Sequence, residues 1–323
     1  GRALVDERVE RPLGERLLRG ALREGLTRRW LFDPAMRVGQ AVRPMLPSTL
    51  KAKVPQRRAP GTRPTREHAR KVLLLDGCVQ PAMVPAIDAA TARVLDALGI
   101  QSIVAPRTGC CGAIRHHLND ADGALDDARR NIDAWWPWIE TGRVEAIVVN
   151  ASGCGAMLLD YAHLLRDDPQ YAAKATRVTA VVRDLAVFLG AERDRLAALA
   201  ATAPPPADGD PLPRRVVFHP PCTLQHAQQV RGAVEALLVA CGATLQPIGE
   251  SHLCCGSAGT YSVLQPELSR QLRDRKLGHL QADAPEAILS ANIGCLTHLQ
   301  SGTPTPVRHW IEWLDRALPG VRA

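Results

Sequence analysis

Eight of the nine cysteines in this 323-residue chain occur as two sets in one register. Cys78, Cys110 and Cys111 are each followed 144 residues later by Cys222, Cys254 and Cys255, and Cys154 is followed 141 residues later by Cys295. Both halves read Cys, 31 intervening residues, Cys-Cys-Gly, and then a lone Cys preceded by Gly. The flanks repeat too. Lys71-Val72-Leu73-Leu74-Leu75 has its counterpart in Arg215-Val216-Val217-Phe218, Glu145 to Asn150 in Glu286 to Ala291, and Val182-Arg183-Asp184-Leu185 in Val307-Arg308-His309-Trp310. Four thiols and three flanking words in one register predict a tandem duplication, which limits the chain to folds built from two copies of one unit. Cys241 has no repeat partner and sits in an Ala/Leu-rich stretch, so it reads as a packing residue.

Each half alternates short β-branched or apolar runs with longer helical patterns. The runs are 71–76, 101–105 and 145–150, then 215–219, 243–248 and 286–291, with helices expected over Ala86–Leu98 and Arg231–Cys241. Strand, helix, strand at this spacing predicts an α/β fold of two tandem, Rossmann-like parallel sheets with right-handed crossovers. The expected divisions are a basic helical arm and linker over 1–66, a first cysteine-rich domain over 67–202, a Pro-rich linker over 203–213 and a second cysteine-rich domain over 214–323. Every paired thiol falls just past the C-terminal end of an expected strand. That is the edge of an open α/β sheet where ligands bind, so thiols scattered in sequence can converge in space.

Composition excludes several classes. No apolar run approaches the roughly 20 residues needed to cross a bilayer, and the polar start of the chain is not a secretory signal. Residues 1–71 hold 18 Lys+Arg against 7 Asp+Glu, whereas residues 72–323 hold 22 against 26, so the net charge of +7 comes from the arm. Aromatic residues are only 4%, which argues against nucleic acid as a partner. The favoured reading is a solvated arm beside a partner subunit or an anionic membrane surface. Within the arm, Pro12 is placed to start a helix with Leu13, Leu17, Leu18 and Leu22 on one face.

Without a secretory signal, nine cysteines point first to metal or redox chemistry rather than disulfides. Four thiolates at one site suit zinc or an iron–sulfur cluster. Spread over about eighty residues, they lack the close C-x2-C pairs of zinc ribbons, which favours a cluster. Neighbouring residues of a strand point to opposite faces, so Cys110-Cys111 and Cys254-Cys255 can share a centre only in a turn, for which Gly112 and Gly256 supply the freedom. Gly153 and Gly294 read either as the same turn freedom or as positions where backbone approaches a bulky cluster. His116, His117, His219, His226, His252, His298 and His309 are candidates for hydrogen bonding to the centre or for ligand substitution, each against a packing or surface role. Trp135, Trp136 and Trp138 suit a partner-facing patch or the core equally. Neither a dinucleotide fingerprint nor a P-loop is present.

Longer words carry a resemblance: Ala151-Ser152-Gly153-Cys154-Gly155-Ala156, Pro221-Cys222-Thr223-Leu224-Gln225-His226-Ala227, Ser251 to Tyr261 around Cys254-Cys255-Gly256, and Ala291-Asn292-Ile293-Gly294-Cys295. The chain resembles the paired CCG cysteine-rich domains of heterodisulfide reductases and of iron–sulfur subunits of membrane-linked dehydrogenases, most closely the glycolate oxidase iron–sulfur subunits. The resemblance implies an electron-transfer subunit of an oxidoreductase complex, with no catalytic residue of its own. FAD-containing glycolate oxidase subunits would oxidise glycolate to glyoxylate, and this subunit would pass the electrons toward a quinone or membrane acceptor. It also implies a [4Fe–4S]-type cluster on Cys222, Cys254, Cys255 and Cys295, a metal site on Cys78, Cys110, Cys111 and Cys154, zinc in one repeat as the alternative, and a cytoplasmic location against the inner membrane. Two departures stand out. The family's upstream ferredoxin-like module with its C-x2-C-x2-C-x3-C-P runs does not occur in this sequence, and each half ends in a lone Cys where heterodisulfide reductases have Cys-x-x-Cys. A thiol–disulfide redox subunit and a zinc-stapled docking subunit are the competing expectations.

Overall fold

The computed structural model describes residues 4–5, 8–204 and 209–319. Residues 205–208 of the expected Pro-rich linker, and the extreme ends of the expected arm and second domain, lie outside the described residues.

Two four-stranded parallel sheets make up the body. The first contains β1 (Arg70–Leu74), β2 (Ile100–Ile103), β3 (Ile147–Val149) and β4 (Val182–Asp184) in the order β2-β1-β3-β4. The second contains β5 (Arg215–His219), β6 (Thr244–Leu245), β7 (Ala287–Ser290) and β8 (Val307–His309) in the matching order β6-β5-β7-β8. The chain is therefore an α/β protein of two duplicated parallel-sheet units, as the cysteine register predicts. The central strands are continuously apolar because helices cover both faces. Val72, Leu73 and Leu74 are buried, as are Ile147, Val148 and Val149.

Sequence reasoning expects three strands per half, and each sheet has four. The fourth strands are three residues long and centre on Arg183 and Arg308, too short and too polar in the middle to stand out as runs. In the other direction, β6 shrinks from the expected 243–248 to Thr244–Leu245. Pro247 has no N–H to donate to a ladder, which stops the strand.

The two halves are not separate globules. Alternation along β1 sends Val72 into a core shared with the second half and Leu73 into a core of the first half alone. The shared core joins Ile87, Leu95 and Val148 to Phe218, Leu289 and Trp310. Across it the helix Ala86–Ala97 packs on the helix Trp310–Ala317, with Arg93 paired to Asp315 at 2.7 Å. The C-terminal strand edges meet at a seam. There the Ser152 N–H donates to the Ala291 carbonyl at 3.0 Å, Gln228 Nε2 donates to the Ser152 carbonyl at 3.0 Å, and His309 Nε2 lies 2.8 Å from the Asn150 carbonyl.

The arm is not solvated throughout, contrary to the sequence expectation. Its helices Leu13–Thr27 and Arg29–Ala41 and the segment after them fold back on the body through ion pairs and a hydrogen bond. Arg29 pairs with Asp76, Glu24 with Arg115 and Arg58 with Glu312, while Gln40 donates to the Met83 carbonyl. The leucine face starting at Pro12 is present, but Leu13, Leu17 and Leu18 are exposed rather than packed on the body. Among the described residues no helix is long and apolar enough to cross a membrane.

Candidate metal centre

The strand edges carry the thiols as the register demands. Cys78 follows β1, Cys110 and Cys111 follow β2, and Cys154 is the third residue of the helix Ser152–Leu159 after β3. Cys222 follows β5, Cys254 and Cys255 follow β6, and Cys295 is the third residue of the helix Ile293–Gln300 after β7. Cys154 and Cys295 thus sit in matching first helical turns.

Within each half the four thiols touch in a chain. Cys78 neighbours Cys110, Cys110 neighbours Cys111, and Cys111 neighbours Cys154. In the second half Cys222 neighbours Cys254, Cys254 neighbours Cys255, and Cys255 neighbours Cys295. All nine cysteines are unpaired by disulfides. Cys241 lies in the shared core, as expected of a packing residue.

The vicinal pairs are held by a matched device. Gly112 and Gly256 have φ of 90° and 85°, so each Cys-Cys pair ends in a left-handed turn. That turn points the Gly112 N–H at Cys110 Sγ at 3.4 Å and the Gly256 N–H at Cys254 Sγ at 3.3 Å. A Cβ at Gly112 would lie 2.9 Å from the Ala124 carbonyl oxygen, and one at Gly256 only 2.3 Å from that of Ser269, so neither position has room for a side chain. Gly153 and Gly294 serve close approach of another kind. Their hypothetical Cβ atoms face Asn292 at 3.2 Å and Ser257 at 2.8 Å, so these glycines let protein loops close in.

Four crowded thiols cannot all ionise without a counter-charge. Contact with Cys110 and burial push Cys78 well up, contact with Cys111 does the same to Cys110, and Cys111 is raised by its contact with Cys154 and by burial. In the second half Cys222 and Cys255 are raised by contact with Cys254, while contact with Cys222 and Cys255 and the Gly256 N–H hold Cys254 down. A thiophilic cation would relieve this frustration by taking the place of the shared protons. The donor set therefore fits a thiolate-ligated metal or cluster in each half.

Surrounding groups differ between the halves. On the first side Asn131, fully buried, donates to the Cys110 carbonyl at 2.8 Å and accepts from the Gly109 N–H at 2.9 Å, and the Tyr161 hydroxyl donates to the Cys111 carbonyl at 2.9 Å. On the second side the buried side chain is Lys276, whose Nζ donates to the Glu250 and Ser251 carbonyls at 2.9 and 3.1 Å. The Lys276 charge also attracts the thiolates of Cys222, Cys254 and Cys255. Sequence reasoning misses Lys276 because it closes a run of charged residues, Arg270 to Lys276, that reads as a solvated helix face. Asn131 and Tyr161 carry no signal beyond being polar in an apolar pattern.

Of the seven candidate histidines, His219 is the one that groups with the thiols among the described residues. A ring nitrogen of His219, Cys255 Sγ and Cys295 Sγ lie within 4.8 Å of one another. His298 is held by Ser269 and His309 caps the helix Trp310–Ala317, so both are structural. His226 lies 3.4 Å from the His252 carbonyl, beside a cavity lined by Phe218, Pro220 and Leu224. His117 approaches Gly259. Trp135 is fully buried in the core of the first half, whereas Trp136 and Trp138 lie under the cations of Arg177 and Arg143.

The CCG "Cysteine-rich domain" family matches residues 72–159 and again 216–300, each span beginning in the first strand of a sheet. The glycolate oxidase iron-sulfur subunit of Escherichia coli (strain K12) is 48% identical over 98% of this chain and 75% of its own length. The probable glycolate oxidase iron-sulfur subunit of Bacillus subtilis (strain 168) is 28% identical over 83% of this chain, which spans 57% of that protein. Lactate utilization protein A of Exiguobacterium sp. (strain ATCC BAA-1283 / AT1b) is 26% identical over 76% of this chain and 98% of its own. A doubled thiol pocket, a doubled family match and 48% identity over 98% of the chain agree: the chain belongs to the CCG cysteine-rich family that includes the glycolate oxidase iron–sulfur subunits.

Proposed function

We propose that this chain is the iron–sulfur electron-transfer subunit of a glycolate oxidase complex. Cys222, Cys254, Cys255 and Cys295 would hold a [4Fe–4S]-type cluster, and Cys78, Cys110, Cys111 and Cys154 a second metal centre, in domains running 67–202 and 214–323. The observation that carries the reading is the convergence of each thiol quartet at a sheet edge, with the paired Gly112 and Gly256 N–H groups aimed at sulfur. Amide hydrogen bonds to sulfur and burial are the protein's means of setting a cluster's potential. A bound cluster would supply one-electron chemistry, and the chain would fix its place and field. Glycolate oxidation itself is assigned to flavin-containing partner subunits, with a quinone or other membrane acceptor downstream.

Peripheral attachment to the inner membrane from the cytoplasmic side accords with the arm. The helix Leu13–Thr27 exposes Leu13, Leu17 and Leu18 beside exposed Arg16, an apolar and basic surface suited to anionic lipid.

Metal analysis of the full chain, isolated without exposure to air, tests the reading. Iron and acid-labile sulfide are expected, with visible absorbance that bleaches on reduction. Cys255→Ser is expected to remove the contribution of the second pocket and leave that of the first. Colourless protein without iron or sulfide overturns the electron-transfer role, and stoichiometric zinc without sulfide in both pockets replaces it with a structural one.

A further inference from the structure

His219 is the last residue of β5, and in the sheet register it stands opposite Ser290 of β7. Both are fully buried. The Ser290 hydroxyl donates to the His219 carbonyl at 3.0 Å, and the same oxygen lies 3.0 Å from His219 Nδ1. With its hydrogen already committed, Ser290 Oγ can only accept from Nδ1, so the ring proton sits on Nδ1 and Nε2 carries a bare lone pair. Among the described residues Nε2 has no hydrogen-bond partner. A buried polar atom left unpaired costs about 1–3 kcal/mol, so such an atom calls for an explanation. The thiols of Cys255 and Cys295 supply one, since they share a 4.8 Å cluster with this ring. A histidine ligand whose other nitrogen is fixed by a hydrogen bond is the usual arrangement at protein metal sites.

The first half has no equivalent. The position 144 residues before His219 is Leu75, and the next step of the β1–β3 register sets Leu75 beside Val149, an apolar pair where the second half has His219 and Ser290. Strand, register and thiol spacing are otherwise repeated, so the imidazole is a difference in chemistry and not in fold.

We infer that His219 Nε2 is a nitrogen donor to the metal centre of the second pocket, giving that centre mixed sulfur and nitrogen ligation while the first pocket offers sulfur alone. The inference rests on the reading that the second pocket holds a metal centre. Histidine in this position would give the second centre one neutral ligand, with Ser290 holding the ring in place.

The test uses the full chain, prepared anaerobically, loaded with iron and sulfide, and grown with 15N-labelled histidine. Pulsed electron paramagnetic resonance of the reduced protein is expected to show one strongly coupled histidine nitrogen. His219→Leu, which copies the first half, is expected to lose that coupling and keep the signal of the first pocket. Should His219→Leu fail to fold, zinc ions alone added to the metal-free native chain provide the second measurement: X-ray absorption at the zinc edge is expected to require a nitrogen scatterer beside sulfur. Iron and sulfide in the second pocket with no directly bound nitrogen overturns the inference and leaves the electron-transfer reading intact. A chain that binds neither cluster nor zinc overturns both.

Discussion

The two halves share a backbone plan and differ in what lines it. Each presents four thiols past the ends of three parallel strands, a left-handed glycine after the vicinal pair, and an N–H donated to the first sulfur of that pair. Yet where the first half has Leu75, Asn131 and Asp184, the second has His219, Lys276 and His309. Asn131 and Lys276 do the same mechanical work, tying down the loop that leads into the Cys-Cys turn. Only Lys276 brings a charge. The first pocket instead has the Asp127 carboxylate near it, which works against thiolates at Cys78 and Cys110. Duplication has kept the geometry of the thiol pocket and changed the field around it, so metal centres held in the two pockets, as proposed above, would differ in potential.

The largest expected effect probes what the halves share. Gly256→Ala would bring a Cβ to 2.3 Å from a backbone oxygen at φ 85°, and Gly112→Ala to 2.9 Å at φ 90°. Backbone strain of this kind costs about 1–3 kcal/mol before the clash is added. Both variants should lower the denaturation midpoint, Gly256→Ala by more. Equal losses would show that the second turn has slack that its geometry denies.

A smaller effect separates the halves by their response to acid. Asp184 and His309 occupy matching places at the ends of β4 and β8, and each caps the helix that follows. Burial raises Asp184 to about 6 and lowers His309 to about 3. Between about 3.8 and 6 the folded chain binds more protons at Asp184 than the unfolded chain does, so acidification stabilises the fold through this group. Between about 3 and 6.5 the unfolded chain binds more at His309, so acidification destabilises it through that one. Each acts with a slope of at most about 1.4 kcal/mol per pH unit. Denaturation midpoints at pH 7 and pH 5 are expected to fall less on acidification in His309→Gln than in the native chain, and more in Asp184→Asn. The same pH response in both variants would remove this contrast between the halves.

The mildest change tests the field alone. Lys276→Gln keeps a donor for the Glu250 and Ser251 carbonyls and removes the charge. In a potentiometric titration the second centre should become harder to reduce while the first stays where it was. A shift in both, or in neither, would mean that Lys276 serves the loop and not the centre.

Much of this was readable before any coordinates. The doubled cysteine register specified two units, the apolar runs placed six of the eight strands, and strand ends specified where Cys78 through Cys295 would gather. Those features are periodic, and periodicity survives in sequence. What escaped was whatever depends on a single contact between distant residues. The strands at Val182–Asp184 and Val307–His309 are too short to show a period. Lys276 looked like surface because its neighbours are charged, and its burial follows from a loop 25 residues away. His219 is one of seven candidate histidines, and its place beside Cys255 and Cys295 with its pairing to Ser290 across the sheet single it out. The arm's docking likewise depends on acids of the body, such as Asp76 and Glu312, that no local pattern links to Arg29 and Arg58.

The seam at Ser152 and Ala291 has an evolutionary consequence. Its central bond joins one main chain to another, so it is indifferent to which side chains flank it. Two copies of an ancestral unit fastened in that way could drift in their linings, one toward amide and carboxyl groups and the other toward basic and imidazole groups, without losing alignment. Specialisation after gene doubling needs a joint that mutation cannot easily edit, and a peptide N–H meeting a peptide carbonyl is such a joint.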